Sequence, residues 1–343
     1  MTKHNKQSVL GFIATALLVW ILISVFNSLF SCNKEADILP KDSTVYSKSI
    51  AMPLQNITTW ERWLYVDSTQ GIYKNTAEKT KLLKYAKKYG FTGFYFYDLS
   101  GIVSTSSNDA ALAGFLKQCA DSGITVRAAI GGSKNTFVSG NTKRFQNTQT
   151  DSKRKFTRYN LEWEWWNNVV TFPVWLNDLT AIAGTTSDND FYQGWYKNLA
   201  GVPDTIAARD QLLNSDRILH HVYVNGYPTY NYANAVSVSG GLGRLDVIAK
   251  GARQVSTMRG TAFKAKIALI ISDEKKSIGA ANDFSGGILI ANAAQPNPFK
   301  AVEQVLINDF NNKLTAFQKQ YIDVVAVIHF DRKWVYRCIP PTP

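Results

Sequence analysis

Nine residues, Asn160 to Asn168, read NLEWEWWNN and place Glu162 and Glu164 in the most aromatic part of the chain. On a strand, Asn160, Glu162 and Glu164 share one face, while Leu161, Trp163 and Trp165 share the other. Aromatic side chains pack well beneath helices, whereas unpaired carboxylates there would be costly. The glutamates are therefore expected to point into a cavity. Alternate strand positions lie about 6.5–7 Å apart, so the two charges repel and one carboxyl should hold its proton to higher pH. A protonated carboxyl near neutrality is the general acid that a glycosidic oxygen requires.

Those carboxylates need a frame, and the chain alternates in a way that supplies one. Strands are expected at 62–66, 91–101, 124–133, 160–168, 217–227, 263–272 and 322–331. Helical spacing separates them, with Gly90 as a helix stop after TAEKTKLLKYAKKY and one long helix over 297–320. Near-continuous apolar strands between helices imply a parallel sheet. The fold class is α/β, a (β/α)8 TIM-like barrel, preferred over a doubly wound sheet because no Gly-rich phosphate loop follows the first strand. NITTW (56–60) or GGILIANA (286–293) would supply an eighth strand, and the polar stretch 134–156 is short for a full third helix.

The first residues lie apart from this scheme. Lys3, His4 and Lys6 precede an apolar run from Val9 to Phe30, then Leu29-Phe30-Ser31-Cys32 and the polar Asn33 to Asp37. This is an export signal or an uncleaved anchor. The residues before Cys32 resemble the bacterial lipoprotein signal, which implies cleavage before Cys32 and lipid on its thiol. Glu35 and Asp37 resemble the export tags of Bacteroidetes surface lipoproteins. The expected division is a signal peptide at 1–31, a tether at 32–48 and one barrel domain at 49–343. The expected place is the outer membrane, lipid-anchored and facing the cell surface, with an outer-membrane protein as a further candidate partner.

Composition narrows the functions further. The net charge of +12 is spread over several helices and loops, each readable as a solvated face, and nucleic acid is not expected as a partner. Cys119 and Cys338 are either free core thiols or a bridge. No Cys and His have ligand spacing, and the adjacent His220 and His221 would face opposite ways on a strand, so no metal and no cofactor are expected.

Two motifs together resemble glycoside hydrolase family 18, the chitinases and endo-β-N-acetylglucosaminidases. The family's third strand ends in Ser-x-Gly-Gly and its fourth carries Asp-x-x-Asp-x-Asp-x-Glu. Here the third ends in Ala129-Ile130-Gly131-Gly132, and the fourth has Thr157, Asn160, Glu162 and Glu164 at that spacing. The resemblance implies a β/α barrel acting on N-acetylglucosamine-containing glycans. Glu164 would be the acid/base, Glu162 would hold the substrate acetamide, and Tyr223 would support it. Asn160, Asp98, Trp166, Tyr227 and Trp334 would line the sugar site, with Trp195 as another stacking platform. The alternative is a non-catalytic glycan-binding or structural lipoprotein on the same barrel. Asp98 and Asp331 could equally cap the loops that follow their strands, and the glutamates could be paired with Arg158 or other barrel bases.

Overall fold

Strand β1, Glu61–Val66, alternates between two environments: Arg62, Leu64 and Val66 meet the helices, while Trp63 and Tyr65 enter the barrel. A computed structural model describes residues 60–131, 141–162, 171–183, 189–193, 204–222, 241–274 and 283–341. All lie in the unit Ala51–Pro343. Seven more strands follow: β2 Gly93–Phe96, β3 Thr125–Gly131, β4 Tyr159–Glu162, β5 Asn189–Gln193, β6 Arg217–His221, β7 Ala265–Ser272 and β8 Ile322–Phe330. Each pairs in parallel with its neighbour in chain order, and β8 pairs back with β1 to close the barrel.

Helices cover the outside. They are α1 Thr76–Tyr89, α2 Ser100–Val103, α3 Asp109–Asp121, α4 Thr142–Thr148, α5 Phe172–Ala183 and α6 Asp204–Leu213. After these come α7 Gly241–Arg259, α8 Phe284–Ala291, α9 Phe299–Lys313, α10 Ala316–Tyr321 and α11 Arg332–Cys338. Their ends carry local signals. Asn75 caps α1 by accepting from the Glu78 amide at 3.2 Å, and Gly90 ends it with φ 72°, a conformation that glycine adopts without strain. The outer layer is apolar and closely fitted, as where Phe96 of β2 stacks on Phe115 of α3 at 5.1 Å.

Three expectations are corrected. The strand that completes the eight is β5, NDFYQ, whose polar ends and Gly/Thr-rich approach read as a loop; NITTW, but for Trp60, lies outside the described residues. The apolar GGILIANA instead forms most of α8, where Gly286 leaves room for the backbone of Asp273 that any Cβ would invade. The expected long helix over 297–320 is two helices, broken at Leu314 and restarted by a Thr315–Gln318 capping box. Strand β2 also stops earlier than expected, because Asp98 turns the chain with φ 59° and α2 begins at Ser100. The third connection holds only the seven-residue α4 and a short 3-10 turn among the described residues. Within the described residues, no helix is long and apolar enough to cross a membrane; residues 1–59, including Cys32, lie outside them.

Candidate active site at the barrel mouth

The lower lumen is built from β1, β2, β3 and β6. Arg127 and Arg217 each lie over the Trp63 indole with Cζ 4.6 Å from the ring centre. Both also donate to the Tyr95 hydroxyl, at 3.3 and 2.8 Å. Glu61 closes the group, accepting from the Trp63 indole at 2.8 Å and from Arg217 at 3.2 Å. Guanidiniums withdrawn from water are tolerable here because ring faces and carboxylate or hydroxyl oxygens replace hydration. Gly93 makes the arrangement possible: it pairs with Trp63, and a Cβ there would overlap the indole.

Above this layer lies the upper lumen, at the carboxyl ends of the strands. Register brings Asn160 level with Ala129 and Glu162 level with Gly131. Asn160 is buried, and its side-chain amide donates to Glu162 Oε1 at 3.3 Å. The Tyr65 hydroxyl of β1 donates to the same oxygen from across the lumen. Two donors thus converge on one carboxyl oxygen and fix its position. Around Tyr65 stand Phe330 at 5.0 Å, Tyr97 at 5.9 Å and Tyr95 at 6.3 Å between ring centres. Tyr97 is 37 % exposed, so an aromatic face meets solvent at this end.

Acidic residues follow several of the strands. Asp67, after β1, binds Lys333 at 2.5 Å and accepts from Ser68 at 3.0 Å. Asp331, after β8, caps α11 by accepting from the Trp334 amide at 3.1 Å. Burial first, and then the Asp67 charge, pushes the Asp331 carboxyl above the usual carboxylate range. Asp98 stands exposed at the end of β2 in a left-handed conformation uncommon outside glycine.

The structure therefore brings together Glu162 and Asn160 of the expected set and sets Asp98 at the same end of the barrel. Asp331 acts as a cap, one of its two expected readings. Trp334 is half-buried in the first turn of α11, with Arg337 stacked 4.4 Å from its ring. Glu164, Trp166, Trp195, Tyr223 and Tyr227 lie outside the described residues, so the expected repulsion between Glu162 and Glu164 is not visible. Thr157 is occupied with β3, its hydroxyl donating to the Val126 carbonyl at 3.0 Å. Arg158 pairs with Asp216 at the opposite end of the barrel. Cys119 and Cys338 are separate buried thiols, so the bridge is not formed; burial pushes the Cys119 thiol well above its ordinary range. Among the described residues, no three His, Cys, Asp or Glu are placed to hold a metal.

Sequence reasoning missed Tyr65 and Tyr97. The alternation of β1 and β2 marks both as facing one way, but nothing local says that Tyr65 meets a residue of β4. It also missed His329 and Asp273, a fully buried pair 2.7 Å apart on the barrel's outer side, where His329 packs edge-on against Phe299 of α9.

No protein-family model matches the sequence, and no curated protein does. Solved structures do resemble it in chain course. One is the spore cortex-lytic enzyme SleL of Bacillus cereus, 8% identical with a TM-score of 0.44, covering 82% of this chain and 74% of that one. A chitinase from Chromobacterium violaceum is 9% identical with a TM-score of 0.40, covering 82% and 98%. Active domain 2 of a Pyrococcus furiosus chitinase is 13% identical with a TM-score of 0.43, covering 82% and 86%. Identities this low leave the site to be read from its own geometry.

Proposed function

We propose that the barrel mouth takes an N-acetylglucosamine-containing glycan and hydrolyses its glycosidic bond with the substrate's own acetamide as nucleophile. The acetamide oxygen attacks the anomeric carbon while Glu164 gives its proton to the departing glycosidic oxygen. Water then attacks the cyclic intermediate, loses a proton to Glu164 and restores the acetamide. Glu162 orients the acetamide nitrogen, and Tyr223 supports the group; Asn160, Asp98, Trp166, Tyr227 and Trp334 serve the sugar. One observation carries this reading: the Glu162 carboxylate is turned inward at the carboxyl ends of the strands, where Tyr65 and Asn160 donate to it. Lipid on Cys32 would hold the enzyme at the outer membrane, facing the cell surface.

A second reading is favoured by Asn160. A neutral amide stands beneath Glu162 where the family resemblance would put a carboxylate, and a site lacking that charge can bind a glycan without cleaving it. Chromogenic chitobioside and a high-mannose glycopeptide, each tested with Glu164→Gln as control, separate the two. Turnover abolished by the substitution supports hydrolysis, and binding without turnover supports the second reading. Neither binding nor turnover over a broad glycan panel removes the carbohydrate assignment.

A further inference from the structure

The two ends of the barrel differ in charge. The mouth carries Asp67, Asp98, Glu162 and Asp331, whereas at the amino-terminal end of the strands Glu61, Asp121 and Asp216 are engaged by Arg217, by Lys117 and Lys153, and by Arg158 and Lys266, and further lysines border it. Lys87 and Lys88 lie in the last turn of α1, Lys155 precedes β4, Lys264 precedes β7, Lys313 ends α9 and Lys319 precedes β8. All but the half-buried Lys155 are exposed, and among the described residues none has a carboxylate within ion-pair distance. Other lysines are paired: Lys117 and Lys153 with Asp121 and Lys266 with Asp216 at this same end, and Lys250 and Lys333 with Asp246 and Asp67. Helix dipoles favour cations at the ends of α1 and α9, and Lys264 donates to the Lys319 carbonyl in the last turn of α10 at 3.1 Å, but neither gives a reason for Lys155.

Two further facts bear on what would cover this end. Met258, 62% exposed, stands in the last turn of α7 beside the exposed Arg259, offering an apolar side chain among the cations. The chain also enters the barrel here, at Glu61, so residues 1–59, with the apolar run Val9 to Phe30, are joined to this end and not to the mouth. We propose that the amino-terminal end of the barrel docks on the phosphate-bearing headgroups of a bilayer, leaving the acidic mouth turned away from the membrane. Lysines near an anionic surface are attracted within about one Debye length, roughly 10 Å at 0.1 M salt, so the contact must be salt-sensitive.

The test is amine-reactive footprinting by mass spectrometry on the full chain, reconstituted in phosphatidylcholine vesicles or in an equal mixture with phosphatidylglycerol. In the anionic vesicles Lys87, Lys264 and Lys319 should lose reactivity by at least about threefold at low salt and regain it at about 0.5 M salt. Lys74, at the mouth end, should not change. Equal reactivity in the two vesicle types at low salt overturns the proposal, as does equal protection of Lys74. Protection by soluble dextran sulfate without protection by anionic vesicles also overturns it, in favour of a soluble polyanion. The triple variant Lys155→Glu, Lys264→Glu, Lys319→Glu, its fold checked by circular dichroism, should abolish the difference at Lys87; persistence of that difference counts against the proposal.

Discussion

Below and above the level of Tyr95 the lumen holds charge in two different ways. The lower storey neutralises its cations internally, with Arg127 and Arg217 resting on one indole and sharing one tyrosine hydroxyl. The upper storey holds the Glu162 carboxylate with two neutral donors and exposes an aromatic edge. Both use the same alternation along β1, which supplies Trp63 to one and Tyr65 to the other. The contrast teaches that charge in this barrel is held in two ways: below, the polar atoms satisfy each other and specify packing; above, a half-buried carboxylate is held inside the lumen.

Each storey can be broken separately. Trp63→Ala should have the largest effect, about 3–5 kcal/mol of lost stability in urea unfolding, since it empties an indole-sized space and strips two guanidiniums of their ring. A loss below about 1 kcal/mol would mean that the lower storey is not a packed unit. Gly93→Ala should cost about 1–3 kcal/mol by forcing the indole aside. Thermal denaturation followed by tryptophan fluorescence reads both the loss and the displaced ring.

Tyr65→Phe probes the upper storey. It deletes one donor to Glu162 and should cost about 1–2 kcal/mol of stability, while weakening glycan binding or turnover more than Trp63-level packing explains. Equal glycan affinity in the variant and the parent would show that Tyr65 does not position the carboxylate. The smallest effect belongs to Asp331. Its carboxyl is raised by burial and by Asp67, so the folded state holds the proton more tightly than the unfolded chain does. Stability from this group is present below the ordinary aspartate range and is lost as pH rises through the raised value. Asp331→Asn keeps a capping oxygen, should change stability by under about 0.5 kcal/mol near pH 4, and should flatten that decline in melting-temperature scans. An unchanged pH dependence would remove Asp331 as its source.

Much of this was legible along the chain and some was not. The barrel strands announce themselves where they are apolar on both faces, as in IALIIS of β7 or VVAVIHF of β8, because they are covered inside and out. Strand β5 did not, since NDFYQ has too few apolar positions to outweigh the loop residues before it. Glu162 was legible as an inward residue from period-two alternation alone. Its partner Tyr65 was not, because 97 residues separate them and only closure of the barrel makes them neighbours. The break within 297–320 was written in the sequence as Thr315-Ala316-Phe317-Gln318, a capping box that the strong helical spacing around it hid.

A missing side chain at Gly93 links two strands in heredity as well as in space. The room that a methyl group would take is filled by carbons of the facing indole, so residue 93 cannot grow while residue 63 is tryptophan. Any relative with a larger residue 93 should carry a smaller residue 63.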